Sequence, residues 1–566
     1  MNRRFCLLLL WAALGGLPAF AVGDEKKDEK VPADLPDTAE SARLVEKMPK
    51  AASGTVFLDK KGLADVRVTD GVEFVTTDQQ GKYAITIQPD PTVPYLPSRT
   101  ISVCWPTGTW PVQEGKRGRW QWWARLKDVK DPEKVDFHLA SKQQELPVCV
   151  AFGTDPHDAL RREQNNIFRD EVARAGSHVD FGVMGGDLGY LGFGNAAADY
   201  TSIEEFTNEF PVPMLHCIGN HDIVGIHSKW WSIPHELAGN GAFIKYLGPI
   251  RWSFDCAGIH FVGLDWSRID EKGHLQCGMS AATLDWLEKD LESVPKDRPT
   301  YLFSHQWGDE RFSKLCSQYG VKLCLAGHSH RNMYMGNHGG TEYWTKMSLY
   351  TLLYADRAGF EFVDRCIYRG GRNGWDGYWR HSHRGCALYN DAEMQAQQRG
   401  NHVGLEQITL DSRTRVIEPV KGPTYDLRIG ARGIPDKPAR RWGVRITAAS
   451  GKVCELAYDE LNNELILMGR KTYFDPEILH PAAVSRAADA TDRNEQHWVE
   501  MRVFVMPHRV RVRINSRLHY QKFIEFGPAK RIELFAEDGQ VEFGRVDLWQ
   551  RTWPKNWDPC ATANSG

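Results

Sequence analysis

The spacing of hydrophobic residues changes along the chain. Between residues 53 and 140, apolar and polar positions alternate in short runs, as in Tyr83-Ala84-Ile85-Thr86-Ile87, and turn signals such as Asp70-Gly71 separate the runs. Alternation with a period of two residues is typical of half-buried β-strands. The pattern therefore predicts a small β-sandwich over residues 53–140.

From residue 147 onward, continuous apolar runs alternate with segments of helical periodicity. We predict strands at 148–152, 179–184, 214–218, 259–264, 300–303 and 322–325, and helices at 160–175, 202–210, 281–291 and 311–319. Strand–helix alternation predicts an α/β layered core with crossover connections. We assign this domain to residues 146–400, although the stretch 369–385 fits no element.

After residue 401 the pattern returns to short strands. Strand-like runs include 425–429, 442–447, 465–468, 499–505, 510–514, 532–535 and 541–548. They predict a second β-sandwich over residues 401–566. The expected fold class is a multidomain α/β plus all-β protein, in which two β-sandwiches flank a central α/β layered sandwich.

The N-terminus predicts export. Arg3 and Arg4 precede an apolar run, and Ala19-Phe20-Ala21 supplies the small residues of a signal-peptidase site. We predict a signal peptide at 1–21, a linker at 22–52 and a periplasmic or secreted mature protein. A retained anchor is the alternative, but the run is short for a membrane span. No other segment approaches about 20 apolar residues, so no transmembrane anchor is expected.

The composition limits the classes of partner that we expect the protein to bind. The 566 residues carry a formal charge of −3, which gives no electrostatic reason to expect nucleic acid as a structural partner. An oxidising compartment would permit disulfides, but spacing alone cannot pair the cysteines. The candidates are Cys256, Cys277, Cys316, Cys366, Cys386 and Cys560.

Five predicted strands of the α/β region end in Asp, Asn or His residues. Because open α/β sheets place their active sites at the carboxyl ends of strands, we expect these side chains to lie together. Carboxylate oxygens and imidazole nitrogens suit Mn, Fe or Zn. The candidates are Asp155, His157, Asp187, Asn220, His221, Asp222, His305, His328 and His330.

The order of these motifs resembles the calcineurin-like metallophosphoesterase superfamily over residues 147–335. The motifs are Asp-x-His, Gly-Asp, Gly-Asn-His-Asp, a lone His and Gly-His-x-His. The resemblance implies two metal ions bridged by Asp187, with His221 as the catalytic residue and Asp222 orienting it. The implied outer ligands are Asp155, His157 and His330 for one ion, and Asn220, His305 and His328 for the other.

The resemblance implies an exported dinuclear-metal hydrolase of phosphomonoesters or phosphodiesters. A metal-bridging hydroxide would attack phosphorus, and His221 would act as general acid. The alternative is an envelope or glycan-binding protein whose metal site is structural or inactive. A binding protein has no need of a leaving-group acid, so the intact motifs favour the hydrolase.

Two further motifs need interpretation. Tyr190 completes a GDxxY spacing that also fits purple acid phosphatases, in which the Tyr ligates ferric iron. Those enzymes carry Asp-x-Gly in the first motif, whereas this chain has His157, so a role in the wall of the site is favoured over a ligand. His381-Ser382-His383 copies the His-Ser-His string, but it lacks the preceding glycine and strand.

The flanking regions resemble other modules. Residues 53–140 are similar to the transthyretin-like β-sandwich found before some bacterial metallophosphoesterases. Residues 498–505, 510–515 and 532–539 resemble the C-terminal sandwich of family 32 glycoside hydrolases, whose catalytic propeller is missing here. Alternating Arg509, Arg511 and Arg513 form a basic face that is either solvated or contacts an anionic glycan. We expect residues 401–566 to be dispensable for the hydrolysis of small aryl phosphates but to matter for the natural substrate or for location.

Overall fold

The computed structural model describes most of the chain between residues 49 and 550. The predicted signal peptide, most of the linker, the helix predicted at 160–175, the stretch 369–385, Tyr190, His330 and His381–His383 lie outside the described residues. The described residues are 49–90, 99–115, 119–157, 179–189, 196–224, 237, 239–269, 275–329, 333–346, 350–357, 359–365, 402–417, 425–434, 436–459, 464–467, 470–471, 499–506, 509–514, 518–523 and 529–550.

The first part of the chain forms two small sheets. One has the order β2-β1-β9-β7, with β5 also paired to β1, and the other has the order β4-β3-β6-β8. Alternate residues of β5 are buried, as its sequence pattern predicts. The strands are β1 (Ala51–Leu58), β2 (Lys61–Gly62), β3 (Arg67–Thr69), β4 (Phe74–Thr76), β5 (Lys82–Thr86), β6 (Thr100–Cys104), β7 (Thr109–Pro111), β8 (Trp123–Arg125) and β9 (Phe137–Ser141).

The central part contains the described helices and the strands that carry the predicted site. The strands are β10 (Val148–Gly153), β11 (Phe181–Met184), β12 (Met214–His216), β13 (Trp252–Cys256), β14 (Ile259–Leu264), β15 (Ser267–Ile269), β16 (Leu275–Cys277), β17 (Thr300–Ser304), β18 (Val321–Ala326), β19 (Met333–His338), β20 (Thr341–Thr345), β21 (Tyr350–Ala355) and β22 (Phe360–Arg365). The helices are α1 (Ala196–Asn208), α2 (Gly241–Leu247), α3 (Ala281–Glu292) and α4 (Glu310–Gln318).

Two sheets pack face to face around an aromatic core. β10, β11 and β12 run parallel in one sheet, and β14, β17, β18 and β20 run parallel in the other. The Phe152 ring of the first sheet stacks on Phe303 of the second at 5.9 Å, and Phe181 meets Phe261 at 4.9 Å. The parallel strands bring several carboxyl ends to one edge, which is where an α/β fold builds its site.

The last part of the chain is all β. The strands are β23 (His402–Asp411), β24 (Thr414–Ile417), β25 (Tyr425–Gly433), β26 (Arg441–Ala448), β27 (Val453–Asp459), β28 (Glu464–Leu467), β29 (Arg470–Lys471), β30 (Val499–Met506), β31 (Arg509–Ile514), β32 (Leu518–Phe523), β33 (Ala529–Glu537) and β34 (Gln540–Gln550). One sheet has the order β24-β33-β26-β27-β28-β29. The predicted fold class is confirmed.

The other C-terminal sheet is continuous with the central domain. An 11-stranded sheet runs in the order β12-β11-β10-β21-β22-β32-β31-β30-β25-β34-β23. Its joint is the antiparallel pairing of β22 with β32, in which Glu361 lies opposite Lys522 and Arg365 opposite Leu518. The strand before Asp155 and the C-terminal strands therefore share one hydrogen-bonded sheet.

Local sequence explains the helix ends. α3 begins after Ser280, whose side chain accepts a hydrogen bond from the Thr283 amide, and it buries Trp286 and Leu291. It matches the predicted 281–291 closely. α4 likewise begins after Asp309, which caps it in the same way. Within the described residues, no helix is both long enough and apolar enough to cross a membrane.

The structure contains no disulfide bond among the described cysteines. Of the disulfide candidates, Cys256 and Cys316 are buried, Cys277 is exposed, and none of the three forms a disulfide bond. Cys149, Cys217 and Cys324 are buried within strand-rich packing, as their apolar surroundings predict. The remaining candidates, Cys366, Cys386 and Cys560, lie outside the described residues.

Candidate metal centre

The turns after five strands bring the predicted residues together. The turns follow β10, β11, β12, β17 and β18, all at one edge of the two packed sheets. Every predicted site residue except His330 lies within the described part of these turns. The residues placed there are Asp155, His157, Asp187, Asn220, His221, Asp222, His305 and His328.

One group of ligand atoms forms around Asp187, His305 and His328. Their ligand atoms all lie within 4.8 Å of one another. Asp187 Oδ2 is 3.3 Å from His305 Nε2. Asn220 Oδ1 joins this group at 3.1 Å from both His305 Nε2 and His328 Nδ1. These residue types can ligate a cation, and their atoms are close enough together to bind one ion.

The hydrogen bond of His305 decides which nitrogen is available to a metal ion. His305 Nδ1 lies 2.8 Å from the Gly185 carbonyl oxygen, which can only accept, so Nδ1 carries the proton. In the neutral ring Nε2 then presents a lone pair toward Asp187 and Asn220, which also present oxygen lone pairs. Converging lone pairs repel one another unless a proton or a cation lies between them, so the donor set fits a metal ion.

A second group forms around Asp187, His157 and His221. Their ligand atoms also lie within 4.8 Å of one another. His157 Nε2 is 3.8 Å from Asp187 Oδ2 and 3.9 Å from Asp155 Oδ1, and its ring lies 4.9 Å from that of His221. Asp187 belongs to both groups, which places one carboxylate between two candidate cation positions.

Asp222 holds the backbone of the site. Its buried carboxylate accepts hydrogen bonds from the amides of Asp187, Leu188 and Gly219 at 2.9, 2.8 and 2.7 Å. The amide of the next-door His221 donates to Asp187 Oδ1 at 2.9 Å. Asp222 therefore fixes the turns that present His221 and Asp187, which is a backbone role in addition to the side-chain role expected from the sequence.

Strained backbone marks the same turns. Asp155, His157, Asp187 and His328 have φ values of 52°, 50°, 52° and 63°. Side chains other than glycine adopt this left-handed region rarely, at a cost on the order of 1–3 kcal/mol each. Because the surrounding hydrogen bonds hold four such residues within one cluster, the strain serves to aim side chains at a common point.

The site contains crowded, buried titratable groups. Burial raises the pKa of Asp155 to about 7. Burial also raises the pKa of Asp222 to about 7, with a further contribution from Asp187. Burial opposes protonation of His305, but the Asp187 carboxylate outweighs it and raises the pKa of that imidazole to about 9. Protons therefore occupy positions from which a cation would displace them.

Two residues at the site carry no sequence-based assignment. Thr154 donates from Oγ1 to Asp155 Oδ2 at 2.6 Å. The Trp266 ring packs 4.8 Å from the His328 ring and 5.7 Å from that of His305. Trp266 follows the predicted strand at 259–264, so its position at a strand end was a usable signal, although the residue type suggested only core packing.

Family comparison agrees with the motifs and the geometry. The family described as calcineurin-like phosphoesterase matches residues 136–332. The chain carries a calcineurin-like phosphoesterase domain. The family described as the N terminal of calcineurin-like phosphoesterase matches residues 50–142, in front of it. The family depends on two metal ions, and the chain is a metal-dependent phosphoester hydrolase.

Solved structures similar to this phosphoesterase share little sequence with it. A dimetal phosphatase from Danio rerio is 16% identical, covers 39% of this chain and 95% of its own, and has a TM-score of 0.30. Purple acid phosphatase PPD1 from yellow lupin seeds is 13% identical, covers 56% and 72%, and has a TM-score of 0.30. No curated protein matches the chain.

A different class of structure is also similar. A fructosyltransferase from A. japonicus is 13% identical, covers 38% of this chain and 38% of its own, and has a TM-score of 0.22. The chain thus spans well under half the length of that protein. This class is the one that the C-terminal sequence resembles.

Proposed function

We propose that the chain is an exported phosphoesterase that hydrolyses phosphomonoesters or phosphodiesters with two Mn, Fe or Zn ions. The observation that carries the proposal is the position of Asp187 in both groups of ligand atoms. Two bound ions supply Lewis acidity and an activated water for in-line displacement at phosphorus. Asp187 is the carboxylate that would hold both.

The proposed outer ligands are those that the resemblance implies, and the contacts of the described ones support them. His305, His328 and Asn220 surround one position with Asp187. Distances of 3.1–3.3 Å join His305 to each of the other three and Asn220 to His328, and they support that role. His157 and Asp155 flank the other position, where His330 completes the proposed set. Hard oxygen and imidazole ligands favour Mn, Fe or Zn over ions that prefer thiolates.

His221 is the proposed general acid. Its ring lies beside His157 and Asp187, and the residue is half-buried, so it remains accessible to a bound ester. A proton given from this imidazole to the departing oxygen would neutralise the charge that forms as the ester bond breaks. Its backbone amide is tied to Asp187 Oδ1, which places the ring next to the proposed ions.

Export and envelope contact complete the proposal. The apolar segment behind Arg3 and Arg4 and the small residues at 19–21 support a cleaved signal peptide. The C-terminal sandwich is proposed to contact a glycan or the envelope, on the basis of its sequence resemblance and of the alternating Arg509, Arg511 and Arg513. Comparing the N-terminal residue of the cellular protein with the predicted start after residue 21 tests export.

Hydrolysis with defined esters tests the central proposal. Mature protein reconstituted with Mn²⁺ is expected to bind two ions and to hydrolyse p-nitrophenyl phosphate or bis-p-nitrophenyl phosphate. The ratio of the two kcat/KM values identifies the preferred ester class. Two bound ions without hydrolysis of either ester would instead favour a binding protein with an inactive metal site.

A matched pair of esters tests His221. An alkyl alkoxide leaves poorly without a proton, so His221→Ala should lower kcat/KM for an alkyl phosphate by about 10²–10⁴-fold. A p-nitrophenolate leaves well without a proton, so kcat/KM for the p-nitrophenyl ester should fall much less. Metal analysis of the same samples is the control. Equal losses on both esters with both ions retained would mean that His221 acts on the phosphoryl oxygens instead.

A further inference from the structure

Trp266 packs against two of the proposed ligands of the metal centre. Its ring contacts the imidazoles of His305 and His328 at 5.7 and 4.8 Å, and the residue is only 8% exposed. Both histidines belong to the ligand group that excludes His157 and His221. An aromatic wall at this position restricts how far the two imidazoles can turn.

Buried polar contacts hold Trp266 in place. The neighbouring Asp265 carboxylate accepts from Arg251 Nε at 2.6 Å and from Thr283 Oγ1 at 3.0 Å. The Trp266 carbonyl oxygen accepts from the Gly278 amide at 2.8 Å. Arg251 and Asp265 are both buried, so their pairing is shielded from solvent and holds a defined geometry.

The N-terminal sandwich supplies further contacts of Arg251. Its guanidinium donates to the Gly71 carbonyl oxygen at 2.7 Å and lies 3.3 Å from Asp90 Oδ1. Gly71 is in the turn between β3 and β4. One guanidinium thus joins that turn to Asp265, one residue before the tryptophan that covers the ligands.

The same β3–β4 hairpin is docked firmly on α3. Arg67 pairs with the fully buried Asp290 at 2.8 Å, and the Phe74 ring stacks on Trp286 at 5.2 Å. Trp286 Nε1 donates to Thr69 Oγ1 at 3.2 Å. The hairpin cannot shift without breaking buried contacts, so it offers Arg251 a fixed support.

We propose that the N-terminal sandwich is a positioning element of the metal centre, acting through Arg251 and Asp265 to hold Trp266 against His305 and His328. This inference rests on the proposed dinuclear site. Groups behind metal ligands orient them and typically change metal affinity by about 10–100-fold when removed. The sandwich is then part of the catalytic apparatus, although it contributes no ligand.

Metal affinity of the full-length protein is the test. Calorimetry with Mn²⁺ should show that Asp265→Asn and Trp266→Leu weaken one of the two ions by about 10–100-fold and leave the other unchanged. Trp266→Phe, which keeps an aromatic wall, should restore most of the affinity. Arg251→Lys keeps the charge but cannot reach Asp265 and Gly71 together, so it should weaken the same ion.

Glu73→Gln is the matched control. Glu73 pairs with Lys289 on the exposed rim of the same interface, so its loss should leave both affinities unchanged. Circular dichroism checks that each variant is folded. If Trp266→Leu unfolds, the Mn²⁺ affinities of Asp265→Asn and Arg251→Lys test the inference. Wild-type affinities in these variants would overturn this inference but not the proposed function. A wild-type protein that binds no Mn²⁺ would overturn the proposed function as well.

Discussion

At the scale of single residues, Asp187 has the most demanding position. Its carboxylate lies 3.3 Å from His305 Nε2 and 3.8 Å from His157 Nε2, while its other oxygen accepts from the His221 amide. Burial opposes its ionisation, but the surrounding imidazoles hold the pKa of Asp187 below its usual range. The carboxylate therefore stays charged between the two proposed cation positions.

Asp187→Asn should therefore remove both ions. The amide has nearly the same shape but no charge to share, so kcat/KM is expected to fall by more than about 10²-fold, beyond the loss in either outer-ligand variant. Elemental analysis after Mn²⁺ reconstitution measures the ions retained. His157→Ala and His328→Ala are the matched variants, each expected to keep one ion. Two ions retained in Asp187→Asn would exclude a shared ligand.

The pKa shifts predict how the metal-free protein responds to pH. Asp155 and Asp222 have pKa values of about 7 in the fold, above their unfolded values, so their protonated forms stabilise the fold at low pH and this contribution is lost as pH rises to about 7. For His305, with a pKa of about 9, the loss continues to about pH 9. All three shifts have the same sign.

The Tm of protein in excess chelator should therefore fall by several degrees between pH 6 and pH 9, since each kcal/mol shifts Tm by about 2–4 °C in a domain of this size. Bound Mn²⁺ replaces the lost protons, so the difference between metal-loaded and metal-free Tm should widen over the same range. Differential scanning calorimetry at both pH values measures this. A metal-free Tm that rises with pH would contradict the assigned shifts.

The sequence predicted the residues of the site better than their individual contacts. His305 and Asn220 could be predicted because chemistry-bearing residues at strand ends meet at one edge of an α/β sheet. The Asp222 contacts could not, since its carboxylate reaches amides of a turn about 35 residues away, and spacing carries no hydrogen-bond geometry. Trp266 was not predicted as a site residue because tryptophan is common in hydrophobic cores.

At the scale of elements, the turn before His328 depends on a glycine. A Cβ at Gly327 would overlap Thr154 Oγ1 and Asp155 Oδ2, so the β10 and β18 turns touch there. The His328 amide donates to Asp155 at 2.9 Å across the same contact. Close packing of two turns is thus what sets the distance between their ligands.

Gly327→Ala should push these turns apart and weaken Mn²⁺ binding by at least about tenfold, comparable to the loss of a group that orients a ligand. Gly320→Ala is the matched control, because Gly320 has a φ of +67° but open space around its Cβ. Gly320→Ala should lower the free energy of unfolding by about 1–2 kcal/mol, the cost of a Cβ in the left-handed region, and leave metal affinity intact. Calorimetric titration with Mn²⁺ compares them, and equal affinities would mean that the turns are free to adjust.

Element boundaries were predictable where caps and periodicity agree. The helix predicted at 281–291 is found at Ala281–Glu292, where Ser280 caps its first turn. The helix predicted at 202–210 is found at Ala196–Asn208, because the alanines before it carry no amphipathic signal yet extend the helix readily. Local propensity therefore fixed the type of these elements more firmly than their ends.

At the scale of the whole molecule, the sheet that carries Asp155 does not end with the central domain. β21 lies between β10 and β22, and β22 pairs with β32 through residues 361–365 and 518–522. The sequence could not predict this joint, since the two strands lie far apart in the chain and strand pairing is non-local. The sandwich therefore completes a sheet that the catalytic strands share.

This pairing argues against the expectation that residues 401–566 are dispensable for small aryl phosphates. Removing them would leave the β22 amides and carbonyls that face β32 unpaired at a sheet edge, on a strand that contains the buried Phe362. Exposed edges of this kind template aggregation. A chain ending at residue 400 is therefore expected to be largely insoluble and to lack hydrolysis of p-nitrophenyl phosphate.

Co-expression distinguishes a missing sheet partner from a missing catalytic group. If the truncated chain fails because β22 is unpaired, residues 401–566 supplied as a separate chain should restore solubility, two Mn²⁺ ions per complex and most of the full-length kcat/KM. Size-exclusion chromatography with metal analysis follows the reconstitution. The opposite result, a soluble 1–400 monomer that holds two ions and hydrolyses the ester at the full-length rate, would show that the joint is only an attachment. The central sheet would then be stable with β22 as its own edge.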